Sequence, residues 1–303
     1  MMLSGLLALT LAQLLGGGIL QIFLKIALTE FPPILLSSAR FLIATSLLFL
    51  FFSWKGKTKL FGKDTLILLK RSVFFAGNIA LFAIGIQYTT VIMGQIIYSL
   101  VPLIVMVLAH FVLGEKVTKS KIIGLIIALA GLGFLLMQSI VKTEHLTFGT
   151  PLGNGLILIA TICWSIYLVY SKKIAEAFSS SRITFVNFIF TAVILLLFVP
   201  VEYQVKPLHM NLVTIIGAMV LISLAVGTVI QYMSMQYGIK KTTATTASVF
   251  QYMGPFFATL FAVPILHEKP TMSLIVGGVL ILLGVFYATT FSLVKRRFAA
   301  VLQ

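Results

Sequence analysis

Residues 82–134 recur at 235–287 with a constant offset of 153 and no gap. Under that offset Gly85 meets Gly238, Thr89-Thr90 meets Thr242-Thr243, and Pro102 meets Pro255. Glu115-Lys116 meets Glu268-Lys269, Gly124 meets Gly277 and Gly131 meets Gly284. Of the 53 aligned pairs 15 are identical. They include Gly, Pro, Thr and Glu-Lys, which are not the Leu and Ile that any two apolar segments share. A repeat of this length means that the chain is two related halves, and any fold must accommodate both.

The halves are built for lipid. Hydrophobic residues make up 60% of the 303 positions and charged residues only 10%, with a mean hydropathy of +1.12. Soluble domains carry about 25% charged residues. A spanning helix needs about 20 mainly apolar residues, so the chain reads as an all-α membrane protein with ten transmembrane helices. The expected helices are 3–24, 33–53, 72–87, 91–113 and 122–139 in the first half. Those in the second are 155–170, 183–199, 212–236, 242–266 and 273–293. Residues 1–141 form the first five-helix unit, 142–152 connect, and 153–303 form the second. The N-terminal stretch MMLSGLLALTLAQLL has no basic segment before its apolar run, which reads as a retained first helix rather than a cleaved leader.

A net charge of +15 would suggest nucleic acid in a soluble protein. Here the positive-inside rule accounts for it. Seventeen of the 22 Lys and Arg fall in alternate loops and the C-terminal tail, four fall on the opposite side, and Arg40 lies within helix 2. Both termini are therefore expected in the cytoplasm of a plasma-membrane protein. Five helices per half is an odd number, so the second half enters the membrane upside down relative to the first. Inverted repeats are a transporter design, with the substrate site near the midplane between the halves.

At these residues the chain resembles the EamA-type branch of the drug/metabolite transporter superfamily. The first half supplies Lys25 ending helix 1, Pro33 and Arg40-Phe41 in helix 2, Pro102 in helix 4, Gly114-Glu115 before helix 5, and Gly124 and Gly131 within it. The second supplies Lys173, Pro255, Glu268, Gly277 and Gly284. Two features depart from the pattern. Gly16-Gly17 replaces a Trp-Gly pair in helix 1, although Trp164 stands at the matching place in helix 6, and the partner of Arg40 is Phe188. The resemblance implies ten helices, a central cavity and movement of small metabolites, without naming the solute.

The candidate site follows from polar residues in apolar helices. Gln95, Tyr98, Ser99 and Pro102 share a face of helix 4, and Ser248, Gln251, Tyr252 and Pro255 align with them on helix 9. Unpaired polar atoms in hydrocarbon cost several kcal/mol each, so both stripes should face the protein interior. They either line a path or hydrogen-bond helix to helix. The two prolines act either as hinges or as plain bends. Arg40 lies about 10 Å past Pro33 at 1.5 Å per residue. It either holds a substrate carboxylate or has a structural role, by snorkelling or by binding backbone carbonyls. Gln13, Gln21, Asn78, Asn187 and Gln231 are further lining candidates, and Trp164 and Tyr167 either stack on a solute or simply pack.

Other residues limit the chemistry. Cys163 is the single cysteine, which excludes an internal disulfide and a cysteine metal cluster. All seven carboxylates are expected in loops or at helix ends, so no mid-membrane Asp or Glu serves as an ion carrier; His110 is the one histidine within a span. No G-x-x-x-x-G-K-[ST] or H-E-x-x-H run occurs, which argues against a nucleotide-driven pump and a zinc enzyme. The expected function is a secondary transporter of small organic metabolites, amino acids or related compounds first, working by alternating access in the direction of export. A lipid or lipid-linked-sugar flippase is the nearer rival, and a channel or intramembrane enzyme the distant one. The expected partners are a solute and the bilayer, with no cofactor, no metal and no nucleic acid, in a monomer or weak homodimer.

Overall fold

The computed structural model describes residues 2–28, 31–54, 65–89, 91–141, 150–205, 215–265 and 272–289. Among them there is no strand. The helices are α1 (Met2–Gln13), α2 (Leu20–Ala27), α3 (Pro33–Trp54), α4 (Thr65–Gly85), α5 (Val91–Tyr98), α6 (Val101–Leu113) and α7 (Lys119–Val141). They continue with α8 (Pro151–Ile174), α9 (Ser180–Val205), α10 (Ile215–Lys241), α11 (Ala244–Val249), α12 (Met253–Ile265) and α13 (Met272–Thr289). A π-helical segment, Leu14–Ile19, joins α1 to α2, and a 3₁₀ turn, Phe250–Tyr252, joins α11 to α12. Seven of the described helical stretches are long and apolar enough to cross a membrane, by length and composition.

Local signals set the helix starts. Thr150 caps α8, accepting from the Gly153 N–H, and Pro151 occupies the first turn, where its missing N–H is harmless. Thr243 caps α11 in the same way, accepting from the Thr246 N–H. At the end of α6, Gly114 takes φ 66° and turns the chain, so that Glu115 donates back to the Ala109 carbonyl.

The halves interleave. The main helix contacts are α7 with α13, α4 with α8, α3 with α9 and α1 with α10. Most join elements from different halves, and they obey the repeat. The pair α4–α8 becomes α10–α1 when the halves are exchanged, and α4–α9 becomes α10–α3; all four contacts are present. Helices equivalent in the repeat run antiparallel. In α3–α9, Ile34 meets Glu202 at one end and Phe52 meets Phe185 at the other. In α7–α13, Gly124 faces Gly284 while Gly131 faces Gly277. The offset of 153 converts the first of these contacts into the second.

That glycine seam is a close backbone approach. A Cβ on Gly131 would stand 2.7 Å from the Ile281 nitrogen and 2.8 Å from the Gly277 carbonyl oxygen. Without a hydrophobic driving force between helices in lipid, such contact supplies much of the association.

The structure corrects several sequence expectations. The span 91–113 is not one helix: α5 ends at Tyr98 and α6 starts at Val101. The span 242–266 contains the 3₁₀ turn at Phe250–Tyr252. The physical reason is the same in both. A proline ring clashes with the carbonyl four residues earlier, and those carbonyls belong to Tyr98 and Gln251. Pro102 and Pro255 therefore interrupt the regular α-helical pattern, with the backbone still right-handed at Leu100 and Met253. Helix 1 carries a π segment over its three glycines. Helix α4 starts at Thr65, not Ser72, so Arg71 rides on a helix and lays its guanidinium 5.6 Å from the Tyr170 ring centroid. The expected loop from Val201 is helical to Val205, and Glu202 is buried. It accepts from the Ile34 N–H at 2.9 Å and the Leu35 N–H at 3.0 Å, filling the open donors at the start of α3.

Replacing Gly131 with leucine is expected to destabilise the protein by about 1–3 kcal/mol through overpacking. Gly133, with nothing within 4 Å of its Cβ position, should accept leucine with little change. Unfolding of both variants in detergent checks this; equal loss at the two sites would contradict the seam.

Candidate functional site

Three interrupted stretches of backbone come together. The π segment at Leu14–Ile19 packs on α12, where a Cβ on Gly17 would collide with the Gly254 backbone. Irregular backbone inside a membrane protein is tolerated only where protein or a water-filled cavity covers it. At this junction the protein provides the cover. The Tyr252 hydroxyl donates to the Ser99 carbonyl at 2.8 Å, satisfying an acceptor at the break between α5 and α6. Ser99 and Tyr252 are equivalent under the 153-residue offset, and contact between equivalent residues means that the pseudo-twofold axis passes beside them.

Other candidates surround the junction as repeat-related pairs. Asn78 is equivalent to Gln231, and Tyr98 to Gln251. Asn78 is buried and donates to the Tyr98 hydroxyl and to the Ala160 carbonyl, both at 2.9 Å. In the other half Gln251 accepts from the Trp164 indole N–H at 2.9 Å. Gln231 places its amide where a side chain on Gly16 would be, and Gln13 lies against Gly254. Trp164 and Gly16 are equivalent positions at the first-helix offset of 148. The indole in one half thus corresponds to a glycine in the other, and Gln231 fills the gap. Ser248 is buried and donates to the Thr245 carbonyl, within its own helix. The side chains of Gln95 and Gln21 lie outside the described residues.

An aromatic cluster forms the floor. Tyr232 stands 5.0 Å from Phe75, 5.5 Å from Phe188, and 6.4 Å from both Phe41 and Trp164. Arg40 joins the cluster from α3. Its Cζ lies 4.8 Å from the Phe41 ring centroid, and it is within electrostatic range of Tyr232. Its helix neighbours Ser37 and Ala44, three residues before and four after, are buried. Arg40 is therefore on the inward face and does not snorkel along a lipid-facing one. Its Nε is buried with no hydrogen-bond partner, and so is the Nε2 of Gln251.

Tyr167 and Asn187 lie deeper, in a closed network. The Asn187 and Gln236 amides both donate to the Tyr167 hydroxyl, and Ser72 donates to Asn187 at 2.8 Å. The network ties α4, α8, α9 and α10 together. In this conformation it leaves Tyr167 and Asn187 engaged within the protein.

A carboxylate latches the edge of the site. Glu115 accepts from the Ala244 N–H at 2.7 Å, the Thr245 N–H at 3.3 Å and the Thr245 hydroxyl at 2.7 Å, with Lys121 at 3.5 Å. With Thr243 holding the Thr246 N–H, the first open donors of α11 are all filled, at the helix end where negative charge is favoured. Lys172 and Lys240 complete this face, donating to the Lys240 and Phe178 carbonyls. His110 is exposed in the last turn of α6, its Nδ1 3.1 Å from the Glu115 carbonyl oxygen.

Sequence reasoning did not place Phe41, Phe75, Phe188, Tyr232 or Gln236 in the site, and it treated Glu115 as a marker of the repeat and of the family pattern. One signal was available. Tyr232 and Phe41 each follow a candidate polar residue, Gln231 and Arg40.

Glu115→Ala strips two backbone donors of their acceptor. It is expected to cost about 1–3 kcal/mol of stability, read as thermal unfolding in detergent. A variant as stable as the parent would show that water replaces the carboxylate without loss.

Comparisons with known proteins bear on the family and the fold. The profile of the EamA-like transporter family matches residues 3–137 and again 151–290. A protein of Archaeoglobus fulgidus described as an uncharacterized transporter is 27% identical over 93% of this chain and 96% of its own length. The uncharacterized transporter YoaV of Bacillus subtilis is 24% identical over 92% of this chain and 94% of its own. A solved crystal structure superimposes with a TM-score of 0.77 at 20% identity, covering 98% of this chain and 97% of that one. Two family matches, one in each half and together spanning most of the residues, place the chain in the EamA-like transporter family.

Proposed function

We propose that the protein is a secondary transporter that carries small organic metabolites through the junction of its two halves by alternating access. Ten spans are inferred by joining α1–α2, α5–α6 and α11–α12 across their interruptions and counting α3, α4, α7, α8, α9, α10 and α13 singly. The observation that carries the reading is the convergence of three interrupted helices at the pseudo-twofold axis, where Tyr252 satisfies Ser99. Discontinuous helices at a repeat interface are where such carriers place their solutes. Membership of the EamA-like transporter family, and relatives described as uncharacterized transporters, support the same reading.

The face bearing Glu115, Lys172 and Lys240 is assigned to the cytoplasm of a plasma-membrane protein, because the basic loops gather there. The direction we favour is export, and the solutes we favour are amino acids or related compounds. Tyr98, Ser99, Gln251, Tyr252, Asn78, Gln231, Gln13, Gln95 and Trp164 are proposed to line the path. Ser248, Tyr167 and Asn187 are proposed to hold the lining helices and to reach the solute when the helices move. One copy of the chain contains the whole site, which fits a monomer or weak homodimer.

Counterflow into proteoliposomes with a labelled mixture of amino acids and metabolites tests the function. Accumulation without a pH gradient is the expected result. Accumulation only with a gradient would call for a proton site. Movement of a fluorescent lipid in place of any solute would favour a flippase.

The lining has its own test. In a Cys163→Ser background, single cysteines replacing Gln95, Tyr98, Gln251 and Tyr252 should react with small water-soluble thiol reagents, at rates that change when solute is added. Four inert sites would refute the path.

A further inference from the structure

We propose that Arg40 is the anion-binding residue of the transport site and that it takes a carboxylate of the solute. This rests on the carrier reading above. An ionised side chain inside a membrane protein pairs with another group or marks a ligand path, because an unpaired buried charge is strongly destabilising. Arg40 is partly buried, and no carboxylate pairs with it among the described residues. It lies on the inward face of α3, drawn over the fully buried ring of Phe41, and its Nε has no partner. The carboxylates among the described residues are committed elsewhere. Glu202 holds the start of α3, Glu115 holds the start of α11, and Glu176 interacts with Lys172. Lys172 and Glu115 share one face of the membrane, while Glu202 lies at the other.

Repeat symmetry sharpens the point. The junction is lined by neutral pairs, Asn78 with Gln231 and Tyr98 with Gln251, but the residue equivalent to Arg40 is Phe188. Among the described residues the site therefore carries one cation and no counter-anion, and the charge stands on one side of the axis. A second open donor lies on the same aromatic cluster. Gln251 uses its Oε1 on the Trp164 indole and leaves Nε2 without a partner, while Trp164 stands 6.4 Å from Tyr232, which is within electrostatic range of Arg40. The Arg40 Nε and the Gln251 Nε2, both buried without an acceptor, match an oxygen acid. The guanidinium fork suits a carboxylate in two-point contact.

The test needs no variant to begin with. Wild-type protein in proteoliposomes is given aliphatic, aromatic and hydroxylated carbon skeletons, each as the carboxylate, the amino acid, the carboxamide and the amine. The expected result is that forms bearing a free carboxylate are taken up at least about tenfold better than their carboxamides. Arg40→Gln, checked for a normal unfolding temperature, should abolish that preference, and Arg40→Lys should retain part of it. A structural arginine would lower uptake of every form alike, so the ratio of carboxylate to carboxamide reads binding rather than folding. If amines or carboxamides move as well as carboxylates, the assignment to Arg40 is overturned while the carrier reading stands. If no member moves and labelled phospholipid does, the carrier reading falls and the assignment falls with it.

Discussion

A helix that gives up backbone hydrogen bonds inside a bilayer has no water to replace them. The architecture here depends on how those losses are made good. Pro102 and Pro255 open their helices at the carbonyls of Tyr98 and Gln251, and the glycines at 16–18 accompany a π segment in helix 1. Each opening is placed against another. The π segment rests on α12, and Tyr252 reaches the Ser99 carbonyl across the repeat axis. The irregular backbone is affordable only because the halves interleave, and the interleaving positions polar side chains at the centre of an otherwise apolar bundle.

Rigid closure surrounds this weak centre. The glycine seam between α7 and α13 brings two backbones into contact along the two helices. Glu202 and Glu115 clamp helix starts toward opposite faces, each joining one half to the other. Such ties differ in kind from the seam. Backbone packing along a whole helix has no alternative partner, whereas a carboxylate bound to three donors at a helix start can exchange them for water when the helix tilts. Motion between the halves would therefore break carboxylate contacts and keep the glycine seam.

Much of this was legible in the sequence because repeats are read from identities, not from hydropathy. The 153-residue offset located the axis, paired Tyr98 with Gln251 and placed Pro102 opposite Pro255. The side chains that complete the site were hidden by the same apolarity that betrayed the membrane. When nearly every residue of a helix is hydrophobic, the pattern no longer tells the buried face from the lipid face, and Phe41, Phe75, Phe188 and Tyr232 looked like any other aromatics. Glu202 falls in the stretch 201–211, which reads as a loop, and a buried carboxylate is costly. The structure offsets that cost with two backbone donors from a helix more than 160 positions away in the chain. Helix ends suffered likewise, since α4 tolerates Lys70 and Arg71 where aromatic surface at Tyr170 is available.

The differences between the halves say more about selectivity than their likeness does. An inverted repeat supplies two similar half-sites, one for each face, and a carrier with identical halves would have no chemical preference beyond neutral hydrogen bonding. This chain departs from identity at a few central positions. Trp164 stands where the first half has Gly16, Gln251 where it has Tyr98, and Phe188 where it has Arg40. The Tyr167–Asn187–Gln236 network has Ile19, Ala39 and Ala83 as its counterparts, so polar ties hold the centre on one side and apolar packing on the other. Two conformations that exchange the roles of the halves cannot then be equal in energy. The polar network favours the state in which it is intact, and a solute that binds the charged half better than its neutral counterpart biases the same equilibrium by its difference in affinity. On the proposed reading of Arg40, charge at a broken symmetry would couple recognition to movement without a mid-membrane carboxylate among the described residues.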